Sequence, residues 1–157
     1  MNNSWKSGIG FGITSAIITT LGLMVGLITS TESRLAVIGG IITIAIADAM
    51  SDAMGMHISQ EYSKHNEKSI WSATITTFIA KLFVAITFII AMLFLPLNIA
   101  GIINVIWGLI LISIFSYIVA KTNKENVFKV IFEHVIIVII VITITYFLGI
   151  GINKLFV

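Results

Sequence analysis

The 157-residue sequence contains no cysteine, a single proline and few charged residues, which make up 10% of the chain. Soluble domains carry roughly 25% charged residues, so water is not the main solvent of this protein. The lack of cysteine excludes disulfides and thiolate metal sites. Methionine, which occurs six times, is therefore the only soft metal ligand available. The few lysines are scattered and lack the clustered basic face that nucleic-acid binding needs, so no nucleic-acid partner is expected.

Five long apolar blocks account for most of the chain, 58% of which is hydrophobic. Each block has the roughly 20 residues that a helix needs to cross a bilayer, whereas the strands of a membrane barrel are about half as long. We therefore predict an all-α integral membrane protein, a single transmembrane domain over residues 1–157 in contact with lipid, most simply in the cell membrane. The predicted helices cover about 9–28, 35–56, 70–95, 99–120 and 127–148, and the second helix continues as a polar extension to Glu61.

The distribution of basic residues predicts the orientation, because positive charge in short loops marks the cytosolic side. Arg34 and Lys154 fall on one side of the predicted bundle. The other side carries Lys6, Lys64, Lys68, Lys121, Lys124 and Lys129. The N-terminus is thus expected in the cytosol and the C-terminus outside.

Five helices in so short a chain do not favour a pore within a single protomer, so we expect a homodimer with a pathway between protomers. Gly22 and Gly26 on the first helix have the spacing that lets helix backbones approach closely. We interpret them as packing residues, with the dimer interface as one place for that packing.

The second predicted helix contains the stretch ADAMSDAMGMHISQE, residues 47–61. An acid at a membrane helix centre costs about 2.5–3.5 kcal/mol, which makes it a functional candidate. Helical periodicity forms two adjacent stripes, the first with Asp48, Asp52, Met56 and Ser59, the second with Met50, Met54, His57 and Glu61. Carboxylates and imidazole suit Fe²⁺, Mn²⁺ or Zn²⁺, and thioethers disfavour calcium and magnesium. The pattern predicts a route for a transported divalent metal, with no permanently bound cofactor.

Other polar residues of the helices are candidates for the pathway and its entrance. Hydroxyl side chains expected to line the pathway are Ser15, Thr19, Ser51 and Ser59. Glu133 and His134, near the start of the fifth helix, either join the metal entrance or are solvated.

The acids also have a purely structural interpretation. Lys81 on the third helix can form a salt bridge with Asp48 or Asp52, or extend toward the cytosolic headgroups. Methionines at helical spacing are more often packing residues than ligands. Without a cation, two carboxylates about 6 Å apart do not both ionise easily, so one is expected to hold a proton. A divalent metal would expel that proton, which couples metal to proton movement.

Two segments, FGITSAIITTLGLMVGL at 11–27 and IADAMSDAMGMHISQE at 46–61, resemble the vacuolar iron transporter family. The resemblance implies a homodimer with the metal path between protomers and proton-coupled export of Fe²⁺ or Mn²⁺ from the cytosol. The short connection at 57–69 resembles the nodulin-like members that lack a cytosolic metal-binding domain.

The sequence also departs from the family pattern. Ser15 stands where the family has a membrane aspartate in the first helix, Asp52 where it has methionine, and Met56 where it has glutamate.

The function predicted from these residues is divalent metal transport, and the chain is not expected to be an enzyme. Asp48 and Asp52 are the residues expected to bind both metal and proton. Two alternatives remain open. The pair of acids also resembles the metal-holding acids of intramembrane metal-dependent enzymes of the phospholipid head-group transferase type. The third interpretation is a non-transporting membrane subunit whose polar residues hold its helices together.

Overall fold

A computed structural model describes residues 4–156 and consists of five helices joined by short turns. The helices are α1 (Ser4–Thr31), α2 (Arg34–Tyr62), α3 (Glu67–Phe94), α4 (Leu97–Asn123) and α5 (Val127–Phe156). All five are long and apolar enough to cross a membrane. At 27 to 30 residues, they are longer than the roughly 20 residues that a hydrocarbon core requires. The predicted all-helical class and the number of helices are confirmed.

The helices extend beyond the predicted apolar blocks, because polar residues cap and lengthen their ends. The side chain of Ser33 accepts a hydrogen bond from the backbone of Ala36 at the start of α2, and Asn66 does the same for Ser69 at the start of α3. The polar extension of α2 is confirmed and ends at Tyr62. The connection between α2 and α3 is therefore only residues 63–66, shorter than the predicted 57–69.

Helix α1 lies at the centre of the bundle and packs against all four other helices. Its buried side chains Ile17, Leu21 and Met24 form the middle of the hydrophobic core. Helix α2 packs against α1 and α3, while α5 packs against α1 and α4. Side chains on the inner face of α2 consequently meet chiefly α1 and α3.

Two glycines near the start of α1 allow it to approach α3 closely. A Cβ atom added at Gly12 would lie 2.6 Å from the carbonyl oxygen of Thr77 and 3.3 Å from the backbone nitrogen of Lys81. At Gly8 it would lie 2.4 Å from the carbonyl oxygen of Ala73. The hydroxyl of Thr77 in turn donates to the carbonyl of Gly8 at 3.2 Å. These contacts fix the position of Lys81 relative to α1.

Gly22 and Gly26 also serve helix packing, as expected, but their partner is α5 of the same chain. A Cβ atom at Gly22 would lie 3.1 Å from Val141 Cγ1, and one at Gly149 would lie 2.7 Å from the carbonyl oxygen of Gly26. This face of α1 is thus occupied within the protomer. The assignment of these two glycines to a dimer interface is corrected accordingly.

The close approach of α1 and α3 predicts that Gly12→Ala destabilises the bundle by roughly 1–3 kcal/mol, because the added methyl group overlaps backbone atoms. Unfolding in mild detergent measures the effect. Gly151→Ala is the matched control, since Gly151 has no atom within 4 Å of its added Cβ among the described residues. It should be neutral or stabilise α5 by up to about 1 kcal/mol. Equal effects of the two substitutions would contradict the close approach.

Candidate cation site

The site is centred on Lys81 of α3, a lysine whose side chain is only 2% exposed. Its Nζ lies 2.6 Å from Oδ2 of Asp48 and also forms an ion pair with Oδ2 of Asp52. A buried ammonium is stable only if it is paired and hydrogen-bonded. The two acids meet this requirement together. Lys81 therefore contacts both Asp48 and Asp52, where the sequence had left open which of the two it would contact.

Ser15 of α1 completes the site with a hydroxyl group. Lys81 Nζ donates to Ser15 Oγ at 2.8 Å, and Ser15 Oγ donates to Asp52 Oδ2 at 2.5 Å. The ammonium, the hydroxyl and the carboxylate thus contact one another, and each belongs to a different helix. We call Ser15, Asp48, Asp52 and Lys81 the polar cluster.

The inner face of α2 explains why its acids reach the cluster. Ala45, Ala49 and Ala53 are buried at four-residue spacing, so the α2 backbone lies close to its neighbours. Asp48 and Asp52 each precede one of these alanines and lie at the edge of the buried face. Their short side chains can therefore contact Lys81 while remaining partly open to the surroundings.

The cluster carries unequal charge and unequal exposure. It contains two acids and one lysine, which leaves one negative charge uncompensated when all three are ionised. The side chains of Asp48 and Asp52 are 31% and 19% exposed, in contrast to buried Lys81. Oδ2 of Asp48 is itself buried and accepts no directional hydrogen bond, so its compensation is the ion pair with Lys81. The open side of the cluster is thus the side of the carboxylates.

The other predicted metal ligands on α2 do not converge on these acids. Met50 and Met54 lie on the outer surface, 58% and 59% exposed, and Glu61 is exposed near the end of the helix. Met56 is half-buried, and its sulfur contacts the amide of Gln60 at 3.9 Å. The segment that carries the two stripes is helical, as predicted. The periodicity could not indicate which face of the helix is turned inward.

His57 is directed toward α3 instead of the acids. Its Nδ1 lies 3.0 Å from Thr74 Oγ1, and its ring packs edge-on against Trp71 with centroids 4.9 Å apart. These contacts give the imidazole a structural role in joining α2 to α3. No group of three or more histidine, aspartate or glutamate side chains suited to a metal ion occurs in the described residues 4–156.

The predicted pathway hydroxyls divide in the same way. Ser15 belongs to the polar cluster, and Thr19 donates to the carbonyl of Ser15 within its own helix. Ser51 and Ser59 are exposed on the outer surface of α2. Only Ser15 contacts an acid.

Glu133 and His134 lie on α5, which packs against α1 and α4. Glu133 is exposed and pairs with Lys129 at 3.8 Å. His134 Nδ1 lies 2.7 Å from the hydroxyl of buried Ser116 on α4. Both side chains thus have partners of their own, apart from the polar cluster.

The chain matches no family model, and no curated protein matches it. The resemblance in the first two helices therefore stays a prediction, and the chemistry of the polar cluster is argued from its own atoms. Two carboxylates and a hydroxyl surround an ammonium ion, which is an oxygen-donor environment for a cation. Oxygen donors of this kind suit manganese and iron as well as the harder divalent ions.

The burial of Lys81 predicts that Lys81→Met destabilises the protein by roughly 3–5 kcal/mol, because two acids then lose their compensating charge. The matched control is Lys129→Met, which makes the same substitution in the exposed Lys129–Glu133 pair. That change should be worth less than about 1 kcal/mol. Chemical unfolding in detergent measures both. A loss at Lys81 no larger than that at Lys129 would mean that the ion pairs do not form.

Proposed function

We propose that the chain is a multi-pass membrane transporter of a divalent cation, with Fe²⁺ and Mn²⁺ as the first substrates and Zn²⁺ as the next. The observation that carries this proposal is a pair of carboxylates in the middle of α2, which together hold the ammonium of Lys81 from α3. These oxygen atoms already hold one cation. The same atoms are suitable ligands for a metal ion.

The two acids also supply proton coupling. Asp48 and Asp52 are neighbours on one helix, and a divalent cation favours both of them in the ionised form. Metal binding then releases any proton that they hold. We propose that this exchange drives proton-coupled antiport out of the cytosol, the direction that the resemblance to vacuolar iron transporters implies. The proposed location is the cell membrane, with the N-terminus in the cytosol and the C-terminus outside.

A homodimer is part of the proposal because one protomer provides an incomplete metal site. Manganese and iron prefer about six ligands, and the polar cluster offers two carboxylates and a hydroxyl. The outer face of α2, next to Asp48, carries exposed small residues at four-residue spacing, namely Gly39, Thr43, Ala47, Ser51 and Gly55. Small residues let helices approach closely. We therefore place the second copy on this face, where its own acids and the exposed Met50 and Met54 supply further ligands.

A second candidate function is a non-transporting membrane subunit, and the Lys81 contacts favour it directly. In that case the ion pairs only join α2 to α3 and need no substrate. The metal-dependent enzyme is a third candidate. The pair of acids is the one observation that supports it. Transport measurements separate these functions.

Transport is expected to require both acids. In proteoliposomes supplied with Fe²⁺, Mn²⁺, Zn²⁺ or no metal, Asp52→Asn and Asp48→Asn should each lower metal uptake and the accompanying proton flux by about tenfold or more, equivalent to about 1.4 kcal/mol. Asparagine keeps the size of the side chain but removes its charge. Glu133→Gln, at an exposed acid outside the polar cluster, is the control and should transport normally.

Met56→Leu should retain transport and weaken the discrimination against calcium and magnesium, because it removes the thioether one helical turn beyond Asp52 on the same stripe of α2. Normal proton-coupled uptake by both asparagine variants would show that the acids are structural. The subunit interpretation would then replace the transporter.

A further inference from the structure

Lys81 is the only residue in the described part of the chain that forms ion pairs between different helices. Its two acidic partners lie on α2, and the third ion pair joins Lys129 and Glu133 within α5. Helix α2 packs chiefly against α1 and α3, so it has fewer neighbours than the central helix. The contacts of Lys81 are therefore the ionic part of what holds α2 in place, beside its packing against α1 and α3.

The exposure of the cluster determines how another cation would reach it. The carboxylates are partly exposed, whereas the ammonium is buried behind them. An incoming ion consequently meets Asp48 and Asp52 before it meets Lys81. At separations of about 4 Å, the repulsion between two cations is several kcal/mol in a partly buried setting. The ion and the ammonium cannot both remain close to the same two oxygens.

Resting on the transport function proposed above, we propose that Lys81 is a tethered competitor of the transported cation. Its ammonium holds Asp48 and Asp52 when no ion is bound, and the ion displaces it. Ser15 Oγ, which accepts from Lys81 at 2.8 Å and belongs to α1, is a contact that the ammonium can keep when it leaves the acids.

Displacement also loosens α2. When Lys81 leaves the acids, the ionic link between α3 and α2 is broken, and the Ser15 hydroxyl can no longer serve both Lys81 and Asp52 in the same geometry. Ion occupancy thereby becomes linked to the position of α2 relative to α1 and α3. Lys81 is in this account a positioning and specificity residue, since its charge sets how strongly a competing ion must bind.

Binding of Mn²⁺ to the full chain in detergent, measured by calorimetry at about pH 8, where free carboxyl groups are ionised, tests this competition. Lys81→Met removes the competing charge and should bind Mn²⁺ at least about tenfold more tightly than the wild type. Lys81→Arg keeps the charge and adds bidentate contacts to carboxylates, so it should bind Mn²⁺ more weakly than the wild type. Lys129→Met is the control and should not change the affinity.

The two substitutions at Lys81 keep the test decisive, since Lys81→Arg answers it even if Lys81→Met does not fold. Wild-type binding with no gain in Lys81→Met, or no loss in Lys81→Arg, overturns the competition and leaves the transport proposal intact. Absence of Mn²⁺ binding in the wild type and in Lys81→Met overturns both.

The loosening of α2 has its own readout, which the absence of native cysteine makes possible. The side chains of His57 on α2 and Thr74 on α3 are in contact, so the pair His57→Cys with Thr74→Cys should form a crosslink on oxidation. Saturating Mn²⁺ should slow this crosslinking when Lys81 is present and have little effect in the Lys81→Met background. An equal rate with and without Mn²⁺ in the wild-type background would contradict the displacement of α2.

Discussion

The burial of one lysine ammonium is the constraint on which the rest of this structure depends. A charged amine away from water needs opposite charge and hydrogen-bond partners within reach. Lys81 on α3 obtains them from two other helices, α1 and α2. The glycines at Gly8 and Gly12 bring α3 against α1, and the buried alanines of α2 bring the acids to the same place. Helix packing and charge compensation are therefore two aspects of one arrangement.

The same arrangement connects stability to function. Paired buried charges contribute little net stability compared with apolar side chains of similar size, so a packed apolar bundle would not need this cluster. Its oxygen atoms surround a cation, and its carboxylate side is open to the surroundings. In the proposed function these atoms alternate between an internal and an external cation. Ion binding must then overcome the interaction between Lys81 and the acids of α2, which links ion occupancy to the position of α2.

Much of the fold could be predicted from the sequence because apolar length is a strong signal. The five helices follow from it. Their true ends depend on polar caps such as Ser33 and Asn66, which the length of an apolar segment does not reveal. The acids of the site were identified from their cost in an apolar helix. Their contact with Lys81 stayed an open alternative, because the relative depth of residues on two helices depends on packing.

The main feature that helical periodicity could not predict was which face of α2 is buried. The stripe with Met50, Met54, His57 and Glu61 was as regular as the stripe with Asp48 and Asp52. Small size does not distinguish the buried side either. Ala45, Ala49 and Ala53 are buried, whereas Ala47, Ser51 and Gly55 have the same spacing on the exposed face. Ser15 was expected only to line a pathway. Its hydrogen bonds to Asp52 and Lys81 depend on the approach of α1 to α2 and α3.

The central claim is that Lys81 and the acids of α2 compensate each other across the helix interface. A charge exchange tests it most directly, with Lys81→Asp and Asp52→Lys made separately and together. Each single change should lower the free energy of unfolding by several kcal/mol, because it leaves like charges close together. The double variant again has two acids and one lysine in the cluster and should recover part of the summed loss, a coupling of up to about 3 kcal/mol. A double variant that is as unstable as the sum of its single changes would contradict the account.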